Sequence, residues 1–102
     1  MEMYRQGRVL VIPVDEARPG LEAPREEDGR LVLFPDYDSP AYTIVGEGAI
    51  FLIDEFYEYY LTVTNPEGVD LVHEGRATVR VRPGVYRVAR QYGFDYWPGR
   101  YR

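Results

Sequence analysis

Short apolar runs recur at intervals of roughly eight to twelve residues along the chain, and the gaps between them are filled with proline and glycine. No helical period extends beyond about two turns. A chain interrupted this often cannot lay down a helix long enough to bury an apolar stripe, so its core has to come from strands. The expectation is an all-β fold, a small antiparallel barrel or sandwich of seven to eight short strands, in a single domain spanning residues 1–102.

The clearest local signal lies between Leu71 and Tyr96, around Pro83-Gly84. Proline presets φ and glycine accepts φ > 0, so the pair predicts a hairpin turn. In that register Arg80 stands opposite Arg87, Val81 opposite Tyr86 and Val79 opposite Val88. Alternation then puts Ala77, Val79, Val81, Tyr86 and Val88 on one buried face and Thr78, Arg80, Arg82 and Arg87 on the other. Two arginines directly across from each other repel, so a carboxylate or an anion is expected beside them.

Upstream, Arg8 to Val14 (RVLVIPV) reads as a first strand covered on both faces, with Pro13 arguing for a sheet edge or a bulge. As an edge it could pair between two copies. Residues 15–29 form a long acidic loop, and Arg30 to Phe34 and Ala41 to Val45 are further strands. Ala49 to Ile53 (AIFLI), apolar on both faces, is placed centrally. In Phe56 to Thr64, Tyr57, Tyr59, Leu61 and Val63 fall on one face and Glu58, Thr62 and Thr64 on the other. The tail, residues 91–102, carries too many aromatics for a solvated terminus and is expected to pack onto the body or a partner.

The chain has no cysteine, which removes disulfides, thiolate catalysis and cysteine-ligated zinc from consideration. No apolar run has the roughly 18 residues of a membrane span, and the N-terminus lacks a signal-peptide core, so no membrane association and a cytoplasmic location are expected. All 12 basic residues are arginine. With few Asn and Gln, this suggests a thermophilic, GC-rich source as a hypothesis. Residues 1–70 hold 15 carboxylates against five arginines, a balance of −10, while residues 71–102 hold two against seven, a balance of +5. Mutual neutralisation of the halves is preferred over a dedicated nucleic-acid patch.

No complete catalytic signature is present, and a non-enzymatic role is the expectation. His73-Glu74 is the one place where an imidazole adjoins a carboxylate; as a metal site the pair is a weak candidate, since further ligands would have to come from Asp and Glu, and no cofactor is expected. Two carboxylate clusters, Asp36 with Asp38 and Asp54 with Glu55 and Glu58, fall in predicted turns or on an outward face, where solvation is their expected role. The candidate binding set is Arg80, Arg82, Arg87, Arg90, Tyr92, Tyr96 and Trp97. Tyr and Arg are enriched in protein interfaces. The same mixture can stack the bases and grip the phosphates of single-stranded nucleic acid. Equally, the arginines can pair with carboxylates of the first half.

Two blocks, Arg5 to Glu16 (RQGRVLVIPVDE) and Leu71 to Gln91 (LVHEGRATVRVRPGVYRVARQ), resemble the two ends of a group of small uncharacterised bacterial β-rich proteins. Members open with R-Q-G-D-V-L-L-x-P-V and close with H-E-E-H-x-P-L and P-x-G-x-Y-x-V-x-R-Q-R-E-Y. Their G-E-x-T-G-H-x-H stretch corresponds to Gly46-Glu47 onward. Here Gly48 to Ile53 (GAIFLI) stands where those histidines would be, and His73-Glu74 is followed by Gly75-Arg76. If the histidines of relatives form a cupin-like metal site, this chain keeps only His73 of it. The resemblance implies a retained β scaffold with a repurposed or interactive surface.

The leading expectation is a protein-interaction or self-assembly module that uses a Tyr/Arg-rich C-terminal hairpin and tail, with a protein partner or a second copy as its target. Single-stranded nucleic-acid binding by the same face is the alternative, and a degenerate cupin-like small-ligand binder or metal enzyme the third.

Overall fold

The computed structural model describes residues 2–35 and 38–91. These form ten strands: β1 (Tyr4–Gln6), β2 (Val9–Pro13), β3 (Leu21–Glu22), β4 (Leu31–Leu33), β5 (Tyr42–Val45), β6 (Ala49–Ile53), β7 (Tyr59–Val63), β8 (Val69–Val72), β9 (Val79–Val81) and β10 (Gly84–Arg90). All pairings are antiparallel. One sheet has six strands in the order β1-β2-β10-β7-β6-β3, the other four in the order β4-β5-β8-β9. The fold is all-β and sandwich-like, and the strands beyond the expected eight are the short β1 and β3. No helix among the described residues is long and apolar enough to cross a membrane.

Period-2 burial drives the packing. Val9 and Val11 of β2, Leu31 and Leu33 of β4, Val69 and Leu71 of β8, and Tyr86 and Val88 of β10 all point into one core shared by the two sheets. The predicted buried residues Val81, Tyr86 and Val88 lie in this core and Val79 packs against it, whereas Ala77 is exposed ahead of β9.

The hairpin across Pro83-Gly84 does not form. β9 pairs with β8 in the four-stranded sheet, and β10 pairs with β2 and β7 in the six-stranded one. The chain changes sheets at this turn. A Pro-Gly turn of the unprimed kind splays its flanking strands, and two tyrosines supply the hydrogen bonds a ladder would have given. The Arg82 N–H donates to the Tyr4 hydroxyl at 3.2 Å, and the Tyr86 hydroxyl donates to the Arg82 carbonyl at 2.7 Å. Arg80 and Arg87 therefore lie on different sheets.

Three other expectations change. β2 lies between β1 and β10 and is not an edge; Pro13 is tolerated because the β1 ladder stops at Val11, so no donor is needed on that side. Tyr57 does not share the buried face of β7, because it sits in the β6–β7 turn. The acidic stretch of residues 15–29 contains β3, which lies along the end of β6 in the register Leu21↔Ile53 and Glu22↔Leu52. Gly20 permits that contact: a Cβ there would run into the Ile53 carbonyl oxygen.

Candidate binding cleft

The arginines singled out in the sequence do not make one face. Arg80 sits across from Asp70 of β8 and pairs with it at 2.9 Å, and it also donates to the Glu67 carbonyl at 2.8 Å. On the other sheet, Arg87 pairs with Glu58 at 2.9 Å. Arg90, at the end of β10, makes two 3.0 Å bonds to the carboxylate of Asp38, with both side chains about nine-tenths buried. Arg82 is exposed at the sheet-changing turn. Each of these ion pairs joins an acidic residue of the first half to an arginine of the second. Tyr92, Tyr96, Trp97 and Asp36 lie outside the described residues.

Around His73 the structure gathers pieces of both terminal blocks. The His73 ring lies against Tyr42, with ring centroids 4.2 Å apart. The Tyr42 hydroxyl accepts the Arg8 N–H at 3.0 Å and lies under the Gly7 turn, where φ is +57° and a Cβ would strike that hydroxyl. Gln6 is buried in β1 and its side-chain nitrogen donates to the Leu71 and Ala77 carbonyls at 2.9 and 2.8 Å, tying the six-stranded sheet to the four-stranded one. Arg5 donates to the Gln91 side-chain oxygen at 2.8 Å, and the Gln91 N–H donates to the Arg8 carbonyl at 2.7 Å. These bonds tie residues 5–8 to β5, to β8 and the segment after it, and to Gln91. No group of three or more metal-binding side chains occurs among the described residues, and Glu74 is exposed.

Two of the clefts formed by the described residues are deep enough to bear on binding. The larger, of about 450 Å³, is lined by Arg25, Asp28, Arg30 and the Gly46–Gly48 turn. Its two arginines and Asp28 already have internal partners. Arg25 donates to the Gly29 and Ala49 carbonyls, and Arg30 pairs with Asp28 at 2.7 Å. The Arg30 backbone N–H first, and its guanidinium as well, hold the Asp28 carboxyl below the usual range, so this group stays ionised in place.

The second cleft, of about 400 Å³, is lined by Pro19, Gly20, Leu21, Ile53, Asp54, Glu55 and Tyr57. The β6–β7 turn builds one wall. The Asp54 N–H donates to the Glu58 carbonyl at 3.0 Å, and the Asp54 carbonyl accepts the Tyr57 N–H at 3.1 Å. Asp54 Oδ1 accepts the Phe56 and Glu58 N–H groups, both at 2.9 Å. This leaves Tyr57 at φ 61°, the left-handed position that such turns usually give to glycine. The strain carries an exposed ring: Tyr57 is 79% exposed, Phe56 63% and Leu21, on the facing β3, 78%. The Arg18 guanidinium lies 5.4 Å from the Phe56 ring centre. Asp54 itself is only 5% exposed, which corrects the expectation of a solvated carboxylate. Its Oδ2 is buried and has no hydrogen-bond partner among the described residues.

A family model described as a domain of unknown function (DUF8820) matches residues 5–91. The chain belongs to this family. No curated protein and no solved structure matches it. The matched span of the DUF8820 chain starts at Arg5 and stops at Gln91, the two residues joined through their side chains. Both terminal blocks thus serve closure of the sandwich. The DUF8820 cleft, by contrast, was missed from sequence. The available signal was the turn DEFYE: two adjacent aromatics between acidic residues are poor turn formers unless something outside the turn uses them.

Proposed function

We propose that this DUF8820 chain is a non-enzymatic module that binds another polypeptide through the cleft between β3 and the β6–β7 turn. The observation that carries this reading is the exposure of Leu21 and Tyr57 on the walls of one concave site, with the exposed Phe56 next to Tyr57 in the turn. Large apolar side chains left exposed and contiguous mark an interaction site, because in a small monomeric domain they could otherwise be turned inward. A rigid aromatic beside an apolar hollow is also the residue type that supplies binding energy at low entropic cost. This surface differs from the Tyr/Arg hairpin face expected from sequence. Arg80, Arg87 and Arg90 already hold carboxylates, so phosphates or partner carboxylates would have to displace those pairs.

A photo-reactive phenylalanine analogue at position 57, and separately at the exposed position 74 in the turn after β8, tests the reading in the native cell. Adducts of defined mass from position 57 and none from position 74 are expected. A second copy of the chain as the trapped species supports the self-assembly form of the same reading. Absence of any polypeptide adduct from position 57 removes it.

A further inference from the structure

The described part of the chain ends on the same side of the sheet as the cleft. β10 runs antiparallel to β7 and reaches the level of Tyr59 at Val88, so Arg90 and Gln91 lie beyond that level, on the side where the β6–β7 turn projects. β6 ends at the same level with Ile53, and Leu21 of β3 stands beside Ile53. In the order β10-β7-β6-β3, three strand spacings, about 14 Å, separate the line of β10 from that of β3. The eleven residues after Gln91 span about 35 Å when extended, which reaches the cleft with length to spare.

The chemistry of that segment complements the cleft. Tyr92, Phe94, Tyr96, Trp97 and Tyr101 make five of its eleven residues aromatic, and Arg100 and Arg102 outweigh Asp95. The cleft offers the apolar walls of Pro19, Leu21, Ile53 and Tyr57; Glu55 is the exposed carboxylate on it and Glu22 the one beside it. Aromatic side chains match such walls, and arginines match both the carboxylates and the aromatic faces, as Arg18 already lies against Phe56. Every wall of the cleft falls inside the span that the family model matches, whereas residues 92–102 fall outside it.

A tether makes weak contacts sufficient. At an effective concentration of about 1 mM, a segment with an intrinsic dissociation constant of about 0.1 mM occupies its site about nine-tenths of the time and weakens a competitor about tenfold. We infer that residues 92–102 of the same chain occupy the cleft, with aromatic side chains against Leu21 and Tyr57 and arginines beside Glu22 and Glu55, and that a partner polypeptide binds by displacing them. This deepens the polypeptide-binding reading above and rests on it.

For the test, the full chain carrying the photo-reactive phenylalanine analogue at position 57 is purified, and light and isotope-labelled copies are mixed equally. The mixture is illuminated in dilute solution, and cross-links are mapped by proteolysis and mass spectrometry. A link from position 57 to residues 92–102 is expected, with both ends light or both heavy. Absence of that link, or a link joining light to heavy and hence to a second copy, overturns the inference. In the native cell, Tyr96→Ala with Trp97→Ala is expected to raise the yield of partner adduct from position 57 several-fold, up to about tenfold. An unchanged or lower yield overturns the displacement. Circular dichroism reports whether the variant keeps its strands, and Arg100→Glu with Arg102→Glu, expected to act in the same direction, replaces it if it does not. If position 57 traps a partner in the cell but the purified chain gives no link to residues 92–102, self-occupancy falls and the interaction module stands. With no partner adduct from the parent or the variants, the module falls and the displacement with it.

Discussion

Arg90 and Asp38, 52 residues apart, meet through two hydrogen bonds of 3.0 Å, with side chains only 9% and 11% exposed. A planar guanidinium gripping a carboxylate with two nitrogens out of solvent is the strong form of an ion pair, and removing one partner uncovers the desolvation penalty of the other. Asp38→Ala is therefore expected to destabilise the fold by about 3 kcal/mol. Urea unfolding at neutral pH measures this. A loss under about 1 kcal/mol would mean that the pair contributes no more than a surface contact.

The pairs of Arg80 with Asp70 and of Arg87 with Glu58 have the same length and a different weight. Their side chains are between about a third and three-fifths exposed, so water screens them and the long arginine stems lose freedom in forming them. Arg80→Gln and Arg87→Gln are each expected to change stability by less than about 1 kcal/mol. Neither residue lines the cleft, so cross-linking from position 57 should persist in the double variant. Loss of the adduct in that variant would return the contact surface to the arginines.

What the sequence made legible follows from how far each signal reaches. Alternation is local: it identified Val81, Tyr86 and Val88 as core residues even though the strands carrying them pair with other partners than expected. Pairing is not local, and a Pro-Gly turn that splays its strands lets β9 and β10 join separate sheets. Charge asymmetry between the halves was visible, but which carboxylate meets which arginine depends on that pairing; Arg80 faces Asp70 only because β9 lies on β8. The cleft was least legible. Its walls come from residues 19–21 and 53–57, brought together by a two-residue strand whose composition resembles a loop.

Tyr86 gives the fold an alkaline limit. Burial first, and the neighbouring Tyr4 hydroxyl second, push its phenol up to about 12, and the protonated form donates to the Arg82 carbonyl. In the unfolded chain a tyrosine ionises near 10. Between about pH 10 and 12 the unfolded state sheds this proton while the folded state keeps it, so stability falls with rising pH by at most about 1.4 kcal/mol per unit. Below pH 10 the contribution is fully present. Tyr86→Phe is expected to flatten that alkaline decline, while at pH 7 it costs about 1 kcal/mol for the lost hydrogen bond. Urea midpoints of the two proteins across pH 8 to 11.5 check both statements, and parallel declines would assign the alkaline loss to other tyrosines.

Tyr57 offers the sharpest separation of folding from binding. Its left-handed backbone costs about 1 kcal/mol or more in a residue with a Cβ, and its ring is too exposed to return that energy through packing. Tyr57→Gly removes the strain, while the added freedom of glycine in the unfolded chain takes back part of the gain. The net expectation is stability unchanged or raised by up to about 1 kcal/mol, together with loss of the polypeptide adduct from a photo-reactive phenylalanine analogue at position 56. Urea unfolding of the variant and cross-linking from position 56 in the native cell read the two effects independently. A destabilised variant would show that the ring supports the fold, and a stable variant with undiminished cross-linking would show that the strained tyrosine is not part of the binding surface.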